Sequence, residues 1–336
     1  MIVRFNFGTR LSISFLARRV AQSLVVILLI VVINFLLIHL APGDPAHILA
    51  GQSGDEQYYE FIRARFGLDR PLGTQLWIYL SRVVRGDFGY SLGHQQPVIS
   101  VIAARVPATL ILMLSAVSLS SAIGVVLGVE AARRENSLAD RAINTFALLG
   151  HSVPSFSIGY LLLIVFALQL GFFPVQSMAS GNEGVTGLAR LLDLLAHLVL
   201  PATTLAIVYL AQIMRLTRTA MLNVLGEGFI TTARAKGLSE GQVLYGHALR
   251  NALLPVVTII GSDLGMLLSG AVLVETVFAW PGLGRLMLDA LAMRDYPVLL
   301  GLLLLISISV AVANFITDLM YAALDPRISY GWSSSR

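Results

Sequence analysis

Cysteine is absent from this chain of 336 residues, and lysine occurs once, as Lys236. The absence of cysteine excludes disulfides, thiolate nucleophiles and cysteine-ligated metal sites. Charge is also scarce, because Asp, Glu, Lys and Arg make up 12% of the residues, against about 25% in soluble domains. So few charges cannot cover the surface of a soluble protein of this length, and 56% of the residues are apolar. The composition therefore indicates an integral membrane protein.

Motifs of common enzyme classes are missing as well. The single lysine, between Ala235 and Gly237, cannot form a phosphate-binding loop of the G-x-x-x-x-G-K-[ST] type. No H-E-x-x-H metal pair occurs, and the six histidines are scattered without ligand spacing. We therefore predict that the chain is not an enzyme and has no catalytic residue, metal site or cofactor of its own. A net charge of +4 does not indicate a nucleic-acid partner.

Long apolar runs are abundant. A bilayer core of about 30 Å needs about 20 mostly apolar residues per helix. Six segments meet this requirement, at residues 20–40, 109–131, 142–170, 197–214, 253–274 and 298–323. With the amino terminus inside, the cytoplasmic segments hold 14 lysines and arginines and the short external loops hold 3. We predict an all-α integral membrane protein with six transmembrane helices that are surrounded by the lipid bilayer. Both termini are predicted to lie in the cytoplasm.

The segments between the spans define the predicted organisation. The predicted order is a cytoplasmic segment (1–19), the first transmembrane helix (20–41), an external lobe (42–106), a five-helix core (107–323) and a cytoplasmic tail (324–336). The external lobe contains two short amphipathic patterns, at residues 58–66 and 75–84, bounded by glycine and proline turn signals. The core includes a polar cytoplasmic loop at residues 216–252.

One acidic residue stands inside a predicted span. Asp263 lies about ten residues into the fifth apolar segment, near the middle of the membrane. Ionisable side chains at that depth are costly, and their usual explanation is functional. Asp263 is therefore a candidate pore residue that meets a cationic group of the substrate. The alternative is a buried hydrogen bond to a neighbouring helix.

The cytoplasmic loop has a helix with well-defined ends. Good helix formers at 227–235 follow the break at Gly226 and Gly228, and Gly237 is placed to end the helix in a left-handed conformation. Ser239 is placed to cap the start of a second helix. A short helix held on a membrane bundle can serve as a contact for a soluble partner. The alternative is an ordinary solvated loop.

The same loop carries a resemblance to a known family. The sequence T-A-R-A-K-G-L at 232–238, followed by H-A-L-R-N-A-L-L-P at 247–255, resembles the EAA loop of ABC importer permeases. The resemblance is to the branch of the dipeptide, oligopeptide and nickel permeases, and it is strongest to the dipeptide permease B-type subunit. Thr231-Thr232-Ala233 stands where the general consensus has Glu-Ala-Ala. Further matching motifs lie at 41–45, 66–71, 86–89, 107–110, 152–154, 215–218, 275–285, 294–298 and 325–328.

The resemblance implies a type I ABC importer permease fold in the bacterial inner membrane. The chain would form half of a translocation pathway for di- or oligopeptides, paired with a homologous C-type permease subunit. Two ATPase subunits would hold ATP and Mg, and a periplasmic or lipid-anchored binding protein would deliver substrate. The helix that contacts one ATPase would include Glu227, Phe229, Ile230, Thr232, Ala233, Arg234, Ala235, Lys236, Gly237 and Leu238. Candidate residues for docking the binding protein are Trp280, Pro281, Gly282 and Arg285.

Three alternatives differ in cargo or mechanism. The same machinery could import nickel, an opine, a glycoside or an antimicrobial peptide, and nothing in this chain separates these cargoes from peptides. A secondary transporter would need coupling-ion carboxylates in broken helices, for which Asp263 is the one candidate. A membrane-embedded enzyme would need a convergent nucleophile or metal cluster. The sequence of the cytoplasmic loop favours the ABC importer over the last two.

Overall fold

The computed structural model describes residues 13–40, 44–50, 55–91, 93–181, 186–265 and 272–324. Within these ranges the chain is almost entirely helical, with one short antiparallel hairpin. The elements are α1 (Ile13–Leu40), α2 (Pro45–Ala50), α3 (Glu56–Phe66), α4 (Leu72–Val84), β1 (Tyr90–Ser91), β2 (Gln96–Pro97), α5 (Val98–Arg133), α6 (Leu138–Ser152), α7 (Ser155–Leu162), α8 (Leu188–Leu225), α9 (Gly228–Ala235), α10 (Leu249–Gly265), α11 (Val272–Val277), α12 (Leu283–Ala292) and α13 (Tyr296–Leu324). Two π-helical segments, Leu163–Gln169 and Gln242–Ala248, continue α7 and precede α10.

Among the described residues, five helical segments are long and apolar enough to cross a bilayer. They are Ala17–Leu40, Val98–Arg133, Leu188–Leu225, Gln242–Gly261 and Tyr296–Ile316. The bent pair of α6 and α7 supplies a sixth span if both helices count as one. The predicted all-helical membrane fold with six apolar segments is confirmed on that count.

The third predicted span, at 142–170, is broken into two helices at Pro154. Its two parts, Leu138–Gly150 and Ser155–Gln169, meet at 99°. Val153 takes an extended conformation and Pro154 stands immediately before α7. Proline disfavours the helical conformation at the residue before it, so the helix stops and restarts rather than bending through Pro154.

Helices α5 and α8 make the most extensive contact among the described helices. On α5 a Cβ added at Gly124 would lie 3.0 Å from Ile213 Cγ2, and one at Gly128 would lie 2.7 Å from the backbone oxygen of Met214. Small residues four apart let two helix backbones approach closely. The small-residue spacing on α5 therefore acts as a packing seam for α8.

Helix α8 is much longer than the fourth predicted span at 197–214. It begins at Leu188 and continues to Leu225, so the first ten residues of the predicted cytoplasmic loop are helical. The apolar run ends at Arg215, yet the helix continues past it, and Arg218 in this part pairs with Asp140 of α6. Thr217 is fully buried and its hydroxyl donates to the backbone oxygen of Ile213 at 2.8 Å.

The external lobe contains the two short helices that its sequence pattern predicts. The Asp55 side chain caps α3 by accepting from the backbone nitrogen of Tyr58 at 2.8 Å. Gly67 ends α3 with φ of +62°, a conformation that glycine adopts without steric cost. A small core joins the lobe to α1 and consists of Ile38, Ala46, Tyr59, Ile62 and Phe66.

Candidate functional site

Helix α9 is separated from α8 by a sharp break. Helix α8 ends at Leu225, Glu227 takes an extended conformation, and α9 runs from Gly228 to Ala235. At its other end the backbone nitrogen of Gly237 donates to Arg234 O at 2.9 Å. Gly237 has φ of +77°, the left-handed conformation that its sequence position predicts. The helix and its glycine stop are thus where the sequence analysis expects them.

Two side chains hold α9 against the bundle. Ile230 has no exposed surface and Ala233 is 7% exposed, and their spacing of three places them on one face of the helix. They belong to an apolar cluster drawn from α5, α8, the second π-helical segment and α10. The other buried members are Val129, Ala132, Ala220, Met221, Val243, Leu244, Ala248 and Ala252. This cluster ties α9 to the ends of the long helices.

The opposite face of α9 is open. Phe229 is 43% exposed. Thr232, Arg234, Ala235 and Lys236 are exposed as well. Glu227 and Gly237 at the two ends of α9 are also exposed, and Leu238 is half-buried. The site therefore presents one aromatic ring and two cations on a short helix that the bundle holds in place.

The connection after α9 is also well defined. Ser239 and Gln242 form a capping box, in which Ser239 N donates to Gln242 Oε1 at 3.0 Å and Gln242 N donates to Ser239 Oγ at 3.4 Å. Arg234 Nε donates to Glu240 Oε1 at 2.9 Å. Both charges are exposed, so this pair orders the turn more than it stabilises the fold. The predicted cap at Ser239 is confirmed.

A buried ion pair lies at the same end of the bundle. Asp140 of α6 is 3% exposed and accepts two hydrogen bonds from Arg218 of α8, from Nε at 2.7 Å and from Nη2 at 2.8 Å. Asn144 Nδ2 and the backbone nitrogen of Asn136 donate to the same carboxylate at 2.7 and 3.0 Å. Sequence reasoning missed Asp140. The available signal was Arg218, a cation on a helix whose neighbouring residues are mostly apolar.

The segment from Glu275 to Arg285 folds inward. Trp280 has no exposed surface, and its Nε1 donates to Ala108 O at 2.8 Å. Glu275 is fully buried and accepts from Thr109 Oγ1 at 2.8 Å and from the backbone nitrogen of Arg285 at 3.0 Å. A Cβ at Gly282 would lie 2.2 Å from Glu275 Oε1, so only glycine fits there. This segment clamps α11 and α12 to α5.

That arrangement bears on the predicted docking residues. Trp280 and Gly282 are buried and present no surface to a partner in this conformation. Pro281 and Arg285 are partly exposed, so the docking prediction is retained for these two residues. Asp263 lies in α10, but its side chain is outside the described residues, and its pore role stays a prediction. In the described part of the chain, no group of three or more His, Asp or Glu side chains could hold a metal ion.

Two family models match most of the chain. Residues 124–330 match the model described as "Binding-protein-dependent transport system inner membrane component". Residues 12–113 match the N-terminal model described as "Binding-prot-dependent transport system membrane comp, N-term".

Two relatives are similar to this chain over nearly their whole length. "Probable peptide ABC transporter permease protein y4tP" of Sinorhizobium fredii (strain NBRC 101917 / NGR234) is 42% identical over 316 residues, covering 94% of this chain and 99% of the relative. "Glutathione transport system permease protein GsiC" of Escherichia coli (strain K12) is 39% identical over 318 residues, covering 95% and 99%.

A solved structure shares the fold. The inward-facing MetNI methionine ABC transporter matches with a TM-score of 0.53 and 18% identity, covering 68% of this chain and 97% of that chain. The family models and the two relatives confirm the resemblance inferred from the cytoplasmic loop and the location in a bacterial inner membrane. The chain belongs to the family of binding-protein-dependent transport system inner membrane components and is the permease subunit of an ABC importer.

Proposed function

We propose that the chain forms half of the pathway by which an ABC importer moves di- or oligopeptides, and that α9 is the helix through which it is driven. The observation that carries the second part is the two-sided structure of α9. Ile230 and Ala233 fix one face to the bundle, while Phe229 and Lys236 on the other side are free to contact a partner.

The anchoring cluster suggests how motion would pass from α9 into the membrane. Val129 lies near the end of α5, Met221 near the end of α8, and Ala252 near the start of α10. A displacement of α9 would carry these three ends with it, because packed apolar contacts transmit displacement rather than absorb it. The long α5–α8 seam would then move as one body.

The partners follow from this role. Two ATPase subunits would bind ATP and Mg, since this chain lacks a phosphate-binding loop. Catalysis of ATP hydrolysis would reside on those subunits, and this chain would be no enzyme. A homologous C-type permease would complete the pathway. A binding protein would deliver cargo at the external face, near Pro281 and Arg285. ATP drives such a cycle only by binding one conformation more tightly than the other.

Peptide cargo is supported by the relatives. One is named for peptide transport and another for glutathione transport, and glutathione is itself a short peptide. Asp263 in α10 would offer a carboxylate to the amino group of such cargo. Replacing it, as Asp263→Asn, should weaken uptake of a peptide with a free amino terminus more than uptake of an N-acetylated one. Equal effects on both peptides would reject that contact.

The test of the whole proposal is purification of the tagged chain from its native host in mild detergent, with mass spectrometry of the bound proteins. We expect a second multi-span permease and one or two ATPases with Walker motifs. The purified complex in liposomes should take up labelled peptide only with ATP. A chain that purifies alone and moves solute without ATP would contradict the proposal. Competition by nickel or another small solute, with no effect of peptides, would contradict the cargo.

A further inference from the structure

Helix α4 of the external lobe has two chemically different faces. Gln75, Tyr79 and Arg82 point inward: Gln75 is 7% exposed, and Arg82 lies 4.5 Å above the ring of Phe66. Trp77, Leu80 and Val84 recur at the helical spacings i, i+3 and i+7 and share the outer face. Trp77 is 72% exposed and Val84 is 85% exposed. This outer face of Trp77, Leu80 and Val84 is apolar.

Contacts with α1 show the level at which α4 lies. Gln75 Oε1 lies 2.7 Å from His39 Nε2, next to the last residue of α1. One turn further along α4, the ring of Tyr79 lies 6.0 Å from that of Phe35, one turn earlier in α1. From one contact to the next, the contacting residue is one turn later in α4 and one turn earlier in α1. Helix α4 therefore runs antiparallel beside α1 instead of crossing over its end. Phe35 is about 7.5 Å from the end of α1 at 1.5 Å per residue.

Contacts with α13 independently place α4 at the same level along the membrane helices. Asn34 of α1 donates to Leu300 O at 3.3 Å. Val83, at the end of α4, lines a small cavity together with Leu300 and Leu304 of α13. Leu304 lies eight residues after the start of α13 at Tyr296, which is about 12 Å along the helix. The second half of α4 therefore lies beside two membrane helices, below their external ends.

The surface next to α4 faces lipid. Leu36, Leu37 and Leu40 of α1 are 46%, 48% and 78% exposed within an apolar segment long enough to span the membrane. The outer face of α4 lies at the level of these side chains. Tryptophan is enriched where hydrocarbon meets headgroups, and an amphipathic helix buries its apolar face about 5–10 Å into that boundary. We propose that the outer face of α4 inserts into the outer-leaflet lipid interface, so that phospholipid anchors the external lobe.

The proposal is tested by photo-crosslinking in the intact transporter in native membranes. A benzophenone amino acid is placed at Trp77 or Val84 on the outer face of α4. Two reference positions are Leu36, exposed on α1, and Glu60, exposed on α3. After illumination, mass spectrometry of this chain reports phospholipid adducts, and gel electrophoresis reports protein adducts.

We expect lipid adducts at Trp77 and Val84 at a yield close to that at Leu36 and several-fold above that at Glu60. Adducts to the binding protein or to another permease subunit at Trp77 and Val84 would overturn the proposal and assign the face to that partner. Adducts at Leu36 with none at Trp77 or Val84 would overturn it in favour of a water-exposed face. Amounts of membrane-inserted chain are compared first, so that a folding defect is recognised.

Discussion

Replacing Ile230 by alanine should detach α9 from the bundle while the long helices remain folded. Only Ile230 and Ala233 of α9 are buried among the described residues. Burying an isoleucine side chain stabilises by about 1.5–3 kcal/mol. Truncating one in a packed site costs about 2–5 kcal/mol. The loss is of the same size as the apolar energy that Ile230 contributes to holding α9, and about 2 kcal/mol raises the detached population roughly thirtyfold.

The assay is hydrogen exchange by mass spectrometry on the purified transporter, together with ATP hydrolysis and peptide uptake. Ile230→Ala should speed exchange in α9 and lower uptake per ATP hydrolysed. Ile230→Val, at about 0.5–1.5 kcal/mol, should have a smaller effect on both. Phe229→Ala, on the exposed face, should leave exchange unchanged in the isolated permease and weaken ATPase binding. Faster exchange in Ile230→Ala with unchanged coupling would refute the claim that the anchor transmits motion.

Three further predictions follow from local geometry. Gly237→Ala places a side chain on a residue with φ of +77°, which should cost about 1–2 kcal/mol of local stability and reduce uptake. The control Gly241→Ala, at φ of −61°, should change neither local stability nor uptake. Asp140→Asn removes the charge of a carboxylate that accepts two hydrogen bonds from Arg218, and it should lower the thermal unfolding temperature in detergent by an amount matching about 1.5–3 kcal/mol; an unchanged temperature would contradict it. The hydrogen bond from Arg63 lowers the pKa of Asp44 below 3.8. The ionised Asp44 side chain therefore stabilises the external lobe above pH 3.8, and this stabilisation is lost as the pH falls below that value. Proteolysis of the lobe should accelerate on acidification in the original chain, and that pH dependence should be weaker in Asp44→Asn.

Local features of the fold followed from local sequence. Gly67 and Gly237 end helices in left-handed conformations that few other residues tolerate, so their positions predict where α3 and α9 end. The spacing of Gly124 and Gly128 predicts a close helix contact, although it does not name α8 as the partner. These features depend on neighbours in the chain, which the sequence displays directly.

Features that depend on distant residues were not predictable in the same way. The pairing of Asp140 with Arg218 joins residues 78 apart in the chain. Trp280 lies in a segment rich in glycine and proline, which is typical of an exposed loop, but its hydrogen bond to Ala108 buries it. The proline at 154 indicates a break but not the 99° between the two helices it separates. Each outcome depends on the tertiary packing that surrounds it.

The central claim is that α9 contacts an ATPase, and the single lysine of the chain allows a direct measurement. Lys236 is exposed at the end of α9, so an amine-reactive crosslinker attaches to this chain only there and at the amino terminus. In the purified transporter, we expect mass spectrometry to find a crosslink from Lys236 to an ATPase subunit. Lys236→Arg keeps the positive charge and should abolish that product. Crosslinks from Lys236 to other proteins only, or none to an ATPase in a complex that contains one, would contradict the account.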